Sequence, residues 1–570
     1  MIFSSTRPQL QIPTQLPIWD WLFDSEHSPL RRFPPAELGS YVNAVTQERV
    51  RYDELKEYTT YISTALVQKY GLKPGETVAL FSPNTIWYPV AMLSTVRAGG
   101  VISGASPAYN VEEMTYALKT GQAKFLMTVP SSMEVAIPAA QSAGIPRERI
   151  FLLDGEKEGY TNVQQLIEMG KSYGAGGQVA AFKLPPGKTN REVCGFLSFS
   201  SGTTGLPKAV MISHHNVIAQ CMQVQQVTAP DHKRSLAVLP LFHITGLVHQ
   251  MHLPVFLNSE VYMLPAFTME SMLDTVVKYK IRELLLVPPI VIRLLSDPIV
   301  AKYDLSHVTK FSSGAAPIAS EVLQKLQERY PNTGFKQGYG MTESCSCITM
   351  HPLDKQSYNY AERGGSIAAN TEVKIIDVDS GRELGYNEPG EILARGPQVV
   401  MGYLNNEKAT KETFDADGWL HTGDVGFMDK EGFINITDRI KEMIKVKGIA
   451  VSPAELEDLL LGHEDIEDVA VTSISDAYSG ERPKAYVALK PTAKERVGDT
   501  GGLVDIGRQI IEYVRARKVR HKWIVEVEFV DEIPKSASGK ILRRVLRDQE
   551  KGNRSGKRFV VRDERTRAKL

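Results

Sequence analysis

CGFLSFSSGTTGLPKAVMISHHN, residues 194–216, is the stretch on which the reading of this chain turns. Its first part, CGFLSFS (194–200), has the apolar, β-prone texture of a strand. The segment after it crowds hydroxyls, glycines and a lysine into one short run ending at Lys208. Glycine-freed backbone N–H groups, the Thr203 and Thr204 hydroxyls and the Lys208 ammonium suit it to wrap the β- and γ-phosphates of a nucleotide. A kinase, a nucleotide hydrolase and an enzyme that attaches AMP to a carboxylate all need such a loop. In a Walker A loop the glycines lead straight into a helix, and the lysine is followed by the Ser or Thr that binds magnesium. Here Pro207 precedes Lys208, Ala209 follows it, and KAVMIS (208–213) reads as a second strand. The helix is expected only from Ser213-His214-His215-Asn216 onward. This spacing predicts a strand–loop–strand and removes the kinase-type reading.

The surroundings extend the same pattern. ETVALFSP (76–83) reads as a strand followed by a helix over TIWYPVAMLSTVRAGG, and KFLMTVP (124–130), RIFLLDG (149–155), ELLLVPP (283–289) and KFSSGAA (310–316) read as further buried strands. Strands interleaved with helices predict α/β layers with mainly parallel sheets. After about residue 365 the segments TEVKIIDVDSG, GEILARG and GFINITDRIK, with their Gly and Asp turns, predict an antiparallel β-rich region. Beyond residue 440, SPAELEDLLL, IEDVAVTSI, KAYVALK and a helix near 505–520 describe a small α+β unit. Ser452-Pro453-Ala454-Glu455 carries the pattern of a capping box with proline at the first helical position. The expected organisation is an N-terminal domain over 1–438, comprising α/β-layered sheets and a β-rich subdomain, and a small mobile α+β domain over 439–570.

Composition limits the function. At 570 residues the chain exceeds the size at which single cores split, so two or more domains are expected. Lys plus Arg and Asp plus Glu both number 66, a balance that gives no reason to expect nucleic acid or an anionic membrane as main partner. Cys194, Cys221, Cys345 and Cys347 are too few and too irregular for a disulfide framework, and the C-x-C pair has no second Cys/His pair beside it for a metal. The longest apolar run, Leu284 to Ile292, is broken by Pro288-Pro289, so no membrane span is expected. The N-terminus lacks the apolar core of a secretory signal, whereas the ending Ala568-Lys569-Leu570 is a close variant of the Ser-Lys-Leu peroxisomal address. A peroxisomal location and a partner in the peroxisomal import receptor are expected from it.

SSGTTGLPK resembles the signature loop of the adenylate-forming superfamily, which holds acyl- and aryl-CoA synthetases, peptide-synthetase adenylation domains and firefly luciferase. LPLFHITG (239–246), SSGAAPI (312–318), QGYGMTE (337–343), GWLHTGD (418–424), DRIKEMIKVKG (438–448) and PKSASGKILRR (534–544) are similar to its other motifs and come in the same order. They span nearly the whole chain, and they are most similar to the 4-coumarate–CoA-ligase-like branch. The resemblance implies ATP-dependent activation of a carboxylic acid to an acyl-adenylate with release of pyrophosphate, then transfer to coenzyme A with release of AMP.

It also implies site residues. ATP would be held by Ser200, Ser201, Gly202, Thr203, Thr204, Gly205 and Lys208 on the phosphates, and by Gly314, Ala315, Ala316, Gly338 and Tyr339 around adenine. Thr342 would bond the α-phosphate, Asp424 the ribose hydroxyls and Arg439 the ribose or phosphate, with Glu343 as Mg²⁺ ligand. Lys540 would be the adenylation lysine, bridging carboxylate and α-phosphate. Asp438 would be a hinge about which the loop 440–451 swings in as Lys540 leaves. Lys445 would then act in thioester formation, with Lys447 and Gly448 along the CoA arm. His243 would gate an acyl pocket lined by His243, Thr245, Ser313, Gly314, Gly338, Gly340, Met341, Cys345 and Cys347. Glycines among those wall positions are expected to leave room for an apolar aryl or fatty acid, and no basic residue stands out to receive a second substrate carboxylate. One departure is visible: Ala450 stands where the family usually has glutamine.

Overall fold

The opening stretch forms two antiparallel strands, Cys194–Ser200 and Lys208–Ser213, in register from Ser200 opposite Lys208 to Cys194 opposite Ser213. The helix His214–Gln225 starts after the second strand. Its cap is reciprocal: Ser213 Oγ accepts from Asn216 N at 3.1 Å, and Asn216 Oδ1 accepts from Ser213 N at 2.8 Å. The computed structural model describes residues 1–563 except 201–205, 315, 317, 448, 477–478, 498–499, 537–538 and 552–558, and the side chains of 500 and 551. Ser201, Gly202, Thr203, Thr204, Gly205, Ala315, Gly448 and the Ala568-Lys569-Leu570 ending therefore lie outside the described residues.

These two strands belong to an eight-stranded sheet. Beside them run Val101–Ala105, Thr77–Phe81, Ala123–Thr128 and Ile150–Leu152, parallel to one another. Strands covered on both faces read as continuous apolar runs, and Thr77–Phe81 and Val101–Ala105 are buried at every residue. The helix Trp87–Arg97 packs in the same core and is likewise buried throughout. Each large apolar side chain hidden there contributes about 1.5–3 kcal/mol. Arg97 sits in that core with its guanidinium 4.9 Å from the Trp19 ring and donating to Ser63 Oγ at 2.7 Å.

A second sheet begins with the parallel strands Glu283–Leu286, Lys310–Ser313 and Gly334–Met341, then turns antiparallel through Ser346–Met350 and Ser366–Ile367. The long apolar run 284–292 is thus a strand end followed by the helix Pro288–Ser296, which starts on its two prolines. No helix among the described residues is long and apolar enough to cross a membrane. The β-rich region is an antiparallel sheet of Glu372–Ile376, Gly390–Arg395, Leu420–Met428 and Ile434–Arg439. Its edge is covered by the N-terminal strand Ile2–Ser4.

The chain then builds a six-stranded sheet with helices Pro453–Leu461, Thr500–Arg515 and Arg543–Lys551. Here one expectation is corrected. Ser452 Oγ does accept from Glu455 N at 3.1 Å, but the Glu455 carboxylate does not return to the cap. It pairs instead with Lys518 at 2.7 Å and Lys522 at 2.6 Å, since two ammonium groups hold a carboxylate better than one peptide N–H.

Candidate active site

The β-rich sheet and the parallel sheet present polar side chains to one another. Asp424 and Arg439 are cross-strand partners, and Arg439 Nε lies 3.1 Å from Asp424 Oδ1. The other oxygen, Oδ2, accepts from Tyr339 OH at 2.9 Å. Burial raises the Asp424 pKa, and the Arg439 charge opposes that rise. Tyr339 closes the gap between its sheet and the β-rich one. Gly314 has open space at its missing Cβ, the nearest atom being Gly338 O at 3.8 Å. A flat ring fits against such side-chain-poor backbone, and Ala316 beside it is half-buried.

The strand Gly334–Met341 runs into the one-turn segment Thr342–Ser344, where Thr342 and Glu343 are buried. Glu343 Oε1 accepts from Tyr403 OH at 2.8 Å, and the ring of Tyr403 carries the Lys208 ammonium 4.5 Å from its centroid. Tyr403 thus links the described end of the phosphate loop to the proposed metal ligand. Spacing gave no sign of it, because Tyr403 joins Lys208–Ser213 as a short edge strand from about two hundred residues away. Glu343 Oε2 makes no hydrogen bond among the described residues, which leaves one hard oxygen for a cation. A single protein carboxylate completed by phosphate oxygens suits Mg²⁺. No group of three or more potential metal ligands exists among the described residues to compete with it.

Lys540 enters this space from the C-terminal sheet. Its hairpin is closed by Ser536 N donating to Lys540 O at 2.8 Å and by Lys540 N donating to Ser536 Oγ at 3.1 Å. Gly539 has φ of 80° and would place a Cβ 2.9 Å from Pro289 Cδ, so both conformation and closeness require glycine there. The Lys540 pKa falls to about 8, first through burial and then through Arg439, while Glu442, Asp424 and Glu343 oppose the fall. His243 stands in the same surroundings, pushed down to about 4 by burial and by Lys540, and its Nδ1 accepts from Thr245 N at 3.3 Å. The imidazole is therefore neutral at physiological pH.

Next to His243 opens a small cavity lined by Leu239, Pro240, His243, Thr245, Leu285, Leu286, Val287 and Gly314. Other expected wall residues are corrected. Cys345 is 0% exposed and packed into the main core, so it cannot face a guest. A Cβ at Gly340 would meet Ser346 O at 1.7 Å, and one at Gly338 would meet Cys347 Sγ at 3.2 Å. Close approach of the neighbouring strand Ser346–Met350 therefore requires glycine at these two positions. Ser313 is buried with its hydroxyl unpartnered, while Met341 and Cys347 are half-buried. Leu239, Pro240, Leu285 and Val287 escaped the sequence reading because apolar residues in strands and turns carry no mark of facing a cavity.

The opposite arm is turned away. Lys445, Lys447 and Ala450 lie exposed on the hairpin Ile444–Val446 and Ile449–Val451, whose backbone is tied to Glu481 and Ser479. None of the main influences on Lys540 lies on that hairpin. Asp438, at the end of the β-rich sheet, accepts from Ser452 Oγ and from Ala454 N at 3.2 Å, which ties the start of the helix Pro453–Leu461 to that strand.

The AMP-binding enzyme family matches residues 34–404, and the AMP-binding enzyme C-terminal domain matches residues 455–540. The chain is 36% identical over 557 residues to 4-coumarate–CoA ligase-like 1 of Arabidopsis thaliana, covering 96% of this chain and 97% of that one. It is 34% identical over 512 residues to peroxisomal OPC-8:0-CoA ligase 1 of the same plant, covering 89% and 90%. Among solved structures it resembles ATP-bound MatB from Rhodopseudomonas palustris, with a TM-score of 0.80, 25% identity and coverage of 94% and 99%. With the family match covering residues 34–404 and relatives of this identity matched over nearly their whole length, this chain belongs to the AMP-binding enzyme family.

Proposed function

We propose that the protein is an AMP-forming acid–CoA ligase for apolar aryl or fatty carboxylic acids. The observation that carries this reading is Lys540, held by its own hairpin among Asp424, Arg439, Glu343 and His243. A carboxylate is a poor acyl donor until its oxygen carries a good leaving group. Attack of that oxygen on the α-phosphorus of ATP forms one P–O bond and breaks the bond to pyrophosphate. Negative charge gathers about one phosphorus, and the Lys540 ammonium and Thr342 hydroxyl are the groups to stabilise it. Asp424 accepts from the ribose hydroxyls, Tyr339 and Gly314 flank adenine, and Lys208 leaves the Tyr403 ring for the outgoing phosphates. Mg²⁺, held by Glu343, would neutralise phosphate charge.

For the second step, the unit beyond Asp438 turns about that residue, withdraws Lys540 and presents Lys445, Lys447 and Gly448. The CoA sulfur attacks the acyl carbon, the C–O bond to AMP breaks, and the thiol proton leaves. The division into 1–438 and 439–570 belongs to this proposal. Ala450 lacks the polar contact of the usual glutamine, so Ala450→Gln is expected to raise the rate of thioester formation from a supplied acyl-adenylate, and stopped-flow kinetics checks it. The likeness to a peroxisomal acid–CoA ligase supports a peroxisomal location.

A panel of carboxylic acids with hydroxylamine as trap tests the reading: hydroxamates should form with aryl or fatty acids without CoA. No hydroxamate with any acid would contradict it. The pH dependence follows from Lys540. Burial disfavours its ammonium form, so the proton leaves at lower pH than usual and the stabilising charge is lost as pH rises through about 8. kcat/KM for ATP in the adenylation step should fall above that pH, whereas thioester formation from supplied adenylate should show no fall there.

A further inference from the structure

A helix of the N-terminal unit borrows its cap from the C-terminal one. The helix Ser320–Arg329 begins after Ala319, whose methyl group can accept no hydrogen bond. The first amides of a helix find no partner within it, and an end without a side-chain cap is weakened. Val322 N and Leu323 N reach back to Ala319 O at 3.0 and 3.1 Å. Ser320 N donates instead to Asp458 Oδ1 at 3.1 Å, a carboxylate 138 residues further along, on the helix Pro453–Leu461. A carboxylate at a helix N-terminus also meets the positive end of the helix dipole. The two helices approach closely here, since a Cβ at Gly462, just after Pro453–Leu461, would overlap the Glu321 carboxylate.

The start of Pro453–Leu461 lies against Asp438, through Ser452 Oγ and Ala454 N, close to the axis of the proposed turn. Asp458 lies further along the helix and touches a different element of the N-terminal unit, so the turn that withdraws Lys540 parts it from Ser320. The bond suits repeated opening. Ser320 is exposed and Asp458 half-buried, so water can take over both partners once they separate. A charge on the N-terminal unit works against the bond. Burial pushes the Asp458 carboxyl up, the Ser320 amide and Lys518 pull it down, and Glu362 adds to the rise. Glu362 is exposed and repels Asp458, opposing the closed arrangement that the cap favours.

We propose that Asp458 is a positioning residue: by capping Ser320–Arg329 from the C-terminal unit, it holds that unit where Lys540 serves adenylation, and its release accompanies the turn to thioester formation. The inference rests on the acid–CoA ligase reading. It predicts a trade between the half-reactions, where a merely structural role would slow both. Two rates are measured on the full-length enzyme: adenylate formation from acid and ATP, and thioester formation from supplied acyl-adenylate and CoA. In Asp458→Ala the ratio of the second rate to the first should rise about fivefold, the scale of one helix cap. Asp458→Asn keeps an acceptor for the Ser320 amide and should hold the ratio within about twofold of wild type. Glu362→Gln removes the repulsion and should lower the ratio by about twofold, the range of an exposed charge pair. Parallel loss of both rates in Asp458→Ala, or an unchanged ratio, overturns the proposal. Failure of the wild type to form acyl-adenylate from any acid would instead overturn the ligase reading.

Discussion

Lys540→Ala is expected to lose about two to three orders of magnitude in carboxylate-dependent formation of acyl-adenylate, the scale of losing one preorganised charge-stabilising group. The same variant should retain thioester formation when acyl-adenylate is supplied with CoA. The physical ground is the division between the two arms of the C-terminal unit. Lys540 shares its surroundings with Asp424, Glu343 and His243, whereas Lys445 and Lys447 are exposed on a separate hairpin. Removing the Lys540 ammonium also removes the group that depresses the His243 pKa after burial. Equal loss of both steps would contradict the separation. The two half-reactions are measured apart by pyrophosphate release and by CoA consumption.

Arg543→Met destabilises the C-terminal unit by roughly 3–5 kcal/mol, because it leaves buried carboxylates without their cation. Arg543 bonds Glu442 at 2.7 Å and both oxygens of Glu457 at 2.7 and 2.6 Å, and its Nε donates to Val471 O at 3.2 Å. Glu457 in turn accepts from Val471 N at 2.7 Å. Burial raises the Glu457 pKa and Arg543 opposes that rise, so the variant is expected to protonate Glu457 and loosen this amide. Hydrogen exchange at Val471 and neighbouring strand amides is the direct readout. A change under about 1 kcal/mol, the range of exposed ion pairs, would mean that Arg543 is dispensable.

What the sequence showed and what it hid divide along one line. Local signals read well: the strand–loop–strand at 194–213, the helix from His214 and the apolar strands at 77–81 and 123–128 all depend on neighbours in sequence. Cross-chain geometry did not. Gly340 looks like a space-making wall residue until Ser346 O is found in that space. Glu455 looks like half a capping box until Lys518 and Lys522 arrive from a later helix and turn. Tyr403 acquires meaning only through the pairing of strands far apart in the chain. The motif residues Asp424, Arg439, Tyr339, Glu343 and Lys540 were legible because the resemblance named them, and the structure draws them to one space.

The central claim is that ATP is split between its α- and β-phosphates to activate a carboxylate. Isotope exchange between pyrophosphate and ATP tests it most directly. Exchange should appear only when a carboxylic acid is present, require no CoA, and be accompanied by AMP once CoA is added. Exchange independent of any acid, or ADP as the nucleotide product, would contradict the account.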